Sequence, residues 1–263
     1  EELAAVPHYL IGDIPVSQQC DAAVFRSLAQ VRVDEILSRG RVPVIVGGTG
    51  MYIKVLLDGI FDEPEIPDYV RKDLEDEALR EGSARLYEEL QEKDPEAARK
   101  IHAHDIRRIV RALEVCRWTG EPVSRLQETA QGLWGRYDIV MFGLRMDRER
   151  LYARIDNRVD RMVDAGLVEE IRALLAGELS RTARAIIGLK EIGAYLSGEI
   201  SLDDAKAEMK KNTRRLAKRQ MTWFRAEKRI HWIDGVDRGG EAAAAQQMFR
   251  IYNGEDPCLT QDK

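Results

Sequence analysis

The sequence predicts an α/β fold with a mainly helical insertion at about residues 62–132, on three observations. Three short apolar runs, Val42–Val46, Tyr137–Leu144 and Ile230–Ile233, read as strands bounded by Gly, Pro or charge. Long stretches with apolar residues at helical spacing separate them, and Gly or charged turns punctuate those stretches. No internal repeat or low-complexity linker appears. The chain therefore divides into a first core segment (1–61), a helical insertion (62–132), a second core segment (133–250) and a loose tail (251–263).

In "VPVIVGGTGMY" (42–52) a β-branched run ends in Gly47-Gly48-Thr49-Gly50, and a helix is expected to begin near Met51. Backbone N–H groups at such a turn favour an anion, to which Thr49 could add its hydroxyl. The same residues serve equally as a tight turn with Thr49 as helix cap. The Lys-Ser/Thr pair of a Walker A loop is absent.

In the insertion, "PDYVRKDLEDEALREG" and "SARLYEELQEKD" read as helices, with Gly82 stopping the first. "HDIRRIVRALEVCRWTG" places Ile106, Ile109, Val110 and Leu113 on one face, between Asp105 and Gly120. After the second strand, "DRERLYARIDNRVDRMVDAG", "VEEIRALLAG", "ARAIIGLKEIGAYLSG" and "SLDDAKAEMKKNTRRLAKRQMTWFRAEK" are each helical. Gly188 in the third marks either a close approach within a helix or a helix boundary. In the last, Met209, Leu216, Trp223 and Phe224 are expected to face a core.

With 263 residues, 44% hydrophobic and 33% charged, the chain can bury a full core. No apolar run approaches the roughly 18 residues of a membrane span, and nothing resembles a signal peptide. Cys20, Cys116 and Cys258 fit reduced thiols and a cytoplasmic location. His102 and His104 form a close pair without a third ligand, the pattern of surface or capping chemistry more than of a metal site.

The net charge is −5, but the charge is segregated: from Lys206 to Arg229 ten cations face two acids, while 61–97 is acid-rich. A local basic surface on an acidic protein points to a specific anionic partner. Arg107, Arg108 and Arg111 cluster on one helix, suited to phosphate or to a solvated face paired with Asp105 and Glu114.

The ordered set "VPVIVGGTGMY", "HDIRRIVRALEV", "LRMDRERLYARIDNRVDRMVDAGLVEEI", "IIGLKEI" and "LAKRQMTWFR" strongly resembles the bacterial tRNA dimethylallyltransferases, also called tRNA isopentenyltransferases, from near Pro7-His8 to about Asp234. The resemblance implies a P-loop-kinase-like core, a parallel sheet flanked by helices, with a small helical insertion domain that contacts RNA. It also implies transfer of a dimethylallyl group from dimethylallyl diphosphate to N6 of the adenine 3′ of the anticodon, with release of diphosphate, and with Mg²⁺. The partners implied are the tRNA anticodon stem-loop and dimethylallyl diphosphate, with no membrane and with a monomer as the default.

By the same resemblance Gly48, Thr49 and Gly50 line the reaction channel, with Thr49 and Arg158 the catalytic candidates. Arg158 would balance charge on departing diphosphate. Arg71 and Arg107, Arg108, Ile109, Val110 and Arg111 match tRNA-binding positions. Ala185, Ile186, Ile187, Gly188, Leu189 and Lys190 match another RNA-contact segment, with Leu189 where many relatives carry Tyr. Lys218, Arg219 and Gln220 are assigned RNA or phosphate contact.

The family pattern opens with a strand, a Gly-x-x-x-x-Gly-Lys-Thr loop and an Asp-Ser segment supplying the general base, and these 263 residues contain none of them. The expectation is that the segment lies outside this sequence; the alternative is a non-catalytic protein that binds anticodon stem-loops. A third reading, a nucleotide-kinase relative, is disfavoured by the spread of positive charge.

Overall fold

The computed structural model describes residues 6–61, 65–234 and 240–255. The chain forms two compact units, Glu1–Ile53 with Asp138–Lys263, and Lys54–Tyr137.

The first unit opens with α1 (Ala22–Ser38), whose N-cap Asp21 accepts hydrogen bonds from the Ala23 and Val24 N–H groups. Helix α2 (Gly50–Asp58) begins in this unit. The unit's only sheet among the described residues pairs β1 (Met141–Leu144) with β2 (Ile230–Ile233) in parallel, Met141 opposite Ile230 and Leu144 opposite Ile233. A parallel pair needs a long crossover. Here it is made of α8 (Arg148–Asp164), α9 (Leu167–Leu175), a 3₁₀ turn (Ala183–Ala185), α10 (Leu189–Leu196) and α11 (Leu202–Arg225). These helices bury Val159, Val168, Ile171, Leu189, Ile192, Ala205 and Met209 together. Helix α12 (Glu241–Tyr252) sets Ala244 and Ile251 against Ile233, which is fully buried.

The second unit comprises the end of α2 and helices α3 (Asp68–Glu81), α4 (Ser83–Lys93), α5 (Pro95–Lys100), α6 (Ile106–Thr119) and α7 (Val123–Glu128). Leu74, Leu86, Leu90, Ile109 and Leu113 are all 0% exposed in its core. Removing such a side chain to Ala costs about 2–5 kcal/mol. Asp94 is equally buried yet polar. It caps α5 by accepting the Ala97 N–H at 2.9 Å, and accepts the Ser124 N–H at 2.9 Å and hydroxyl at 2.6 Å. Arg117 of α6 ties α3 and α4 together, donating to Glu77 and Glu89 at 2.9 Å each.

Several expectations need correction. Val42–Val46 is not a strand: Val44 is 80% and Val46 89% exposed, and β1 and β2 pair only with each other among the described residues. β-propensity alone does not make a strand, which exists only by its ladder to a neighbour. The second predicted strand is shortened to Met141–Leu144. Among the described residues the fold is α-rich with a small parallel sheet of two strands. Ile106 is 42% exposed, outside the core stripe of its helix, because it sits in the first turn. Trp223 is 44% exposed rather than in the core. Of the two readings of Gly188 the helix boundary holds: with φ of 110° it is the N-cap of α10. The tail begins later than expected, since Ile251 and Tyr252 close α12; residues 256–263, Cys258 among them, lie outside the described residues.

Candidate functional site

The Gly-Gly-Thr-Gly turn enters α2, where the Thr49 carbonyl accepts the Ile53 N–H at 3.1 Å and so starts the helix. The exposed Thr49 hydroxyl makes no hydrogen bond with the described residues, so it is not serving as a cap. Both neighbouring glycines sit in close approach to α11, Gly50 against a ring and Gly48 against the movable end of a side chain. A Cβ on Gly48 would lie 2.3 Å from Gln220 Nε2, and one on Gly50 would lie 2.3 Å from Trp223 Cδ1. The turn therefore rests on the C-terminal half of α11, joining two motifs some 170 residues apart in the chain. Tyr52 anchors the start of α2 by stacking on Phe25 at 4.9 Å and donating to the Cys20 carbonyl at 2.9 Å. Burial pushes the Tyr52 hydroxyl above its ordinary pKa.

One face of α8 is bound to α11 by charge. Asp156 receives the Arg214 guanidinium at 2.6 and 2.8 Å, and Asp160 receives Lys206 at 2.8 Å and Lys210 at 2.7 Å. The hydrogen bond from Lys206, with that from Lys210, holds the Asp160 carboxyl below the usual range. Arg158 lies off that face, exposed, with no ion pair among the described residues. Lys206, Lys210 and Arg214 are thus structural partners of α8, and Arg158 is a cation left available.

A second feature is a small cavity of about 250 Å³ where Ala185–Ile187 and Lys190 meet Arg219. Its backbone is held by Glu191, 8% exposed, which accepts the Gly188 N–H at 2.8 Å and the Asn212 side-chain amide at 2.7 Å. A mid-helix Asn facing inward was the available sequence signal for this tie, because Asn is otherwise unfavourable there.

The remaining predicted site residues separate by exposure. Arg107 and Arg108 are exposed, while Arg111 pairs with Glu114 at 2.9 Å and Arg71 with Glu75 at 3.2 Å. Ile109 at 0% and Val110 at 1% exposure are core side chains that support the helix from within; Leu189 at 6% is likewise core. Lys218 and Arg219 are exposed on α11. Among the described residues no group of three or more His, Cys, Asp or Glu is arranged to hold a metal ion. Asp156 and Asp160 are already ion-paired, so these residues do not by themselves fit a Mg²⁺ site. No described helix is long and apolar enough to cross a membrane.

The family model for IPP transferase matches residues 1–227. The chain belongs to the IPP transferase family. Among curated relatives, the tRNA dimethylallyltransferase of Acetivibrio thermocellus is 43% identical over 237 residues, covering 89% of this chain and 76% of the relative. That of Moorella thermoacetica is 45% identical over 247 residues, covering 93% and 76%. Among solved structures, the full-length tRNA isopentenylpyrophosphate transferase of Bacillus halodurans is 36% identical with a TM-score of 0.63, covering 96% of this chain and 80% of that one. A eukaryotic dimethylallyltransferase acting on tRNA is 26% identical with a TM-score of 0.76, covering 95% and 65%. The IPP transferase match thus includes the glycine turn, α8 and α11, the elements that build the candidate site.

Proposed function

We propose that this IPP transferase is a tRNA dimethylallyltransferase, moving the dimethylallyl group of dimethylallyl diphosphate to N6 of the adenine 3′ of the anticodon and releasing diphosphate. The observation that carries the reading is the packing of the Gly48–Gly50 turn on Gln220 and Trp223, which brings two separated family motifs to one place. The bare backbone at the turn allows close approach by the reacting groups, and the unengaged Thr49 hydroxyl is free to hydrogen-bond to one of them. Arg158 would stabilise the negative charge that accumulates on diphosphate as the C–O bond breaks.

In this reading the first unit is P-loop-kinase-like, which the parallel pairing of β1 and β2 supports. Arg71, Arg107, Arg108 and Arg111 with Lys190, Lys218 and Arg219 contact the anticodon stem-loop, and the target adenine leaves its loop to reach the turn. Mg²⁺ is expected to come with the diphosphate oxygens rather than on a protein cluster. The protein is expected to act as a cytoplasmic monomer.

The test is incubation of the protein with dimethylallyl diphosphate and an unmodified anticodon stem-loop, read by RNA mass spectrometry. A gain of one isoprene unit on the adenine 3′ of the anticodon is expected. Binding of the stem-loop with no gain in RNA mass and no diphosphate release would overturn the assignment.

A further inference from the structure

Several aromatic rings of the first unit are already committed. Arg32 lies over Tyr9, Arg148 over Tyr152 and Arg145 over Trp232, and Tyr52 stacks on Phe25. Trp223 differs. It is 44% exposed, and its side chain makes no hydrogen bond, ring stack or cation contact among the described residues. An indole is large and apolar, and its N–H ordinarily finds a partner when the ring is covered. Here ring and N–H are both unengaged, at the place where the glycine turn meets α11.

The pyrrole edge of the indole faces the turn. A Cβ built on Gly50 would stand 2.3 Å from Trp223 Cδ1, 2.4 Å from Nε1 and 2.6 Å from Cγ. The ring therefore lies one residue from Thr49, beside the backbone that opens α2. If the turn takes part in prenyl transfer, the chemistry next to it makes two charges. As the C1–O bond of the donor breaks, its electron pair leaves on diphosphate, and the allyl group becomes positive at C1 and C3. N6 of the adenine gives its lone pair to C1 and loses a proton to a carboxylate or to water. Arg158 suits the negative charge on the leaving group, but a guanidinium would oppose the positive charge on carbon. An unoccupied indole face attracts a cation. Because C1 is bonded to a diphosphate oxygen, the reacting carbon stays tethered close to wherever the diphosphate sits.

We propose that Trp223 is a catalytic residue of this transfer, its indole face stabilising the positive charge that develops on the dimethylallyl group. The inference rests on the prenyl-transfer assignment and adds the group that answers the second of its two charges.

Site-specific replacement of Trp223 by mono-, di- and trifluorotryptophan tests it, because fluorine drains charge from the ring face and barely alters its shape. Log kcat is expected to fall in step with fluorine number, and Trp223→Leu to lower kcat about five- to thirtyfold. A binding measurement needs no turnover. The ammonium analogue 2-(dimethylamino)ethyl diphosphate should bind about tenfold more tightly than neutral isopentyl diphosphate, and Trp223→Leu should erase that preference. A flat fluorine series in a protein that transfers the prenyl group, equal binding of the two analogues, a preference that survives in Trp223→Leu, or a loss confined to RNA affinity would each overturn the role of Trp223 and leave prenyl transfer standing. A wild-type protein that adds no isoprene unit to RNA would overturn the transfer assignment, and this role with it.

Discussion

Gly48 approaches the Gln220 side chain so closely that a Cβ on it would stand 2.3 Å from Nε2, and a Cβ on Gly50 would stand 2.3 Å from Trp223 Cδ1. Gly50→Ala therefore has to displace an indole ring, which is bulkier than the end of a flexible chain. Overpacking of this kind costs about 1–3 kcal/mol. Turnover is expected to fall by one to two orders of magnitude, with far-ultraviolet circular dichroism unchanged. Wild-type kcat in Gly50→Ala would show that the glycine–indole packing does not shape the channel.

Arg158 is exposed and carries no ion pair among the described residues, so Arg158→Ala should leave stability within the scatter of surface substitutions, about 0.5 kcal/mol. Its loss should instead lower kcat by about 10²–10³, the effect of removing one charge-stabilising group from a developing oxyanion. Steady-state kinetics with stem-loop RNA separates the cases. A change confined to RNA affinity would move Arg158 out of the transition state.

Arg107 and Arg108 differ from Arg111 in having no side-chain carboxylate partner among the described residues. Replacing either by Ala should weaken stem-loop binding and lower the slope of log K against log salt by about 0.7–0.9 for each phosphate left without its cation. An unchanged slope in a salt titration would remove them from the RNA surface. Ile109→Ala, by contrast, should act through stability, by about 2–5 kcal/mol.

Asp94 links acid sensitivity to the helical unit. Burial pushes its carboxyl up, but hydrogen bonds from the Ser124 hydroxyl and N–H and the Ala97 N–H more than offset this and hold the pKa below the ordinary value. A depressed folded pKa means that the contribution to stability is present above the unfolded value of about 4 and is lost as pH falls through the folded one. Asp94→Asn keeps one acceptor oxygen where two were used, and should lose about 1–3 kcal/mol at neutral pH. Melting curves from neutral to acid should show the gap between wild type and variant closing as pH drops below about 4. A constant gap would assign the loss to packing alone.

Much of the helical architecture was legible because its signals are local. Asp105 and Gly120 bracket α6, Asp147 opens α8 and Ser201 opens α11, each by satisfying backbone groups within a few residues. The strands were less legible. Val42–Val46 has the composition of a strand, but pairing depends on a distant neighbour that composition cannot specify. The candidate site was visible as motifs and not as geometry: Thr49 and Arg158 stood out through resemblance, while the packing of the glycines on Gln220 and Trp223 had no local signature.

Along the chain alone were written several helix caps, the segregation of charge and, through five ordered motifs, the family, because caps, periodicity and motif order are local properties of the sequence. Tertiary structure alone decided which cations are spent on Asp156 and Asp160 and which remain available, that Ile109 and Val110 are core, and that Trp223 stays half-exposed beside Gly50. The physical reason is that burial and ion pairing are properties of what the opposite element presents, and an arginine reads the same in sequence whether a carboxylate faces it or water does.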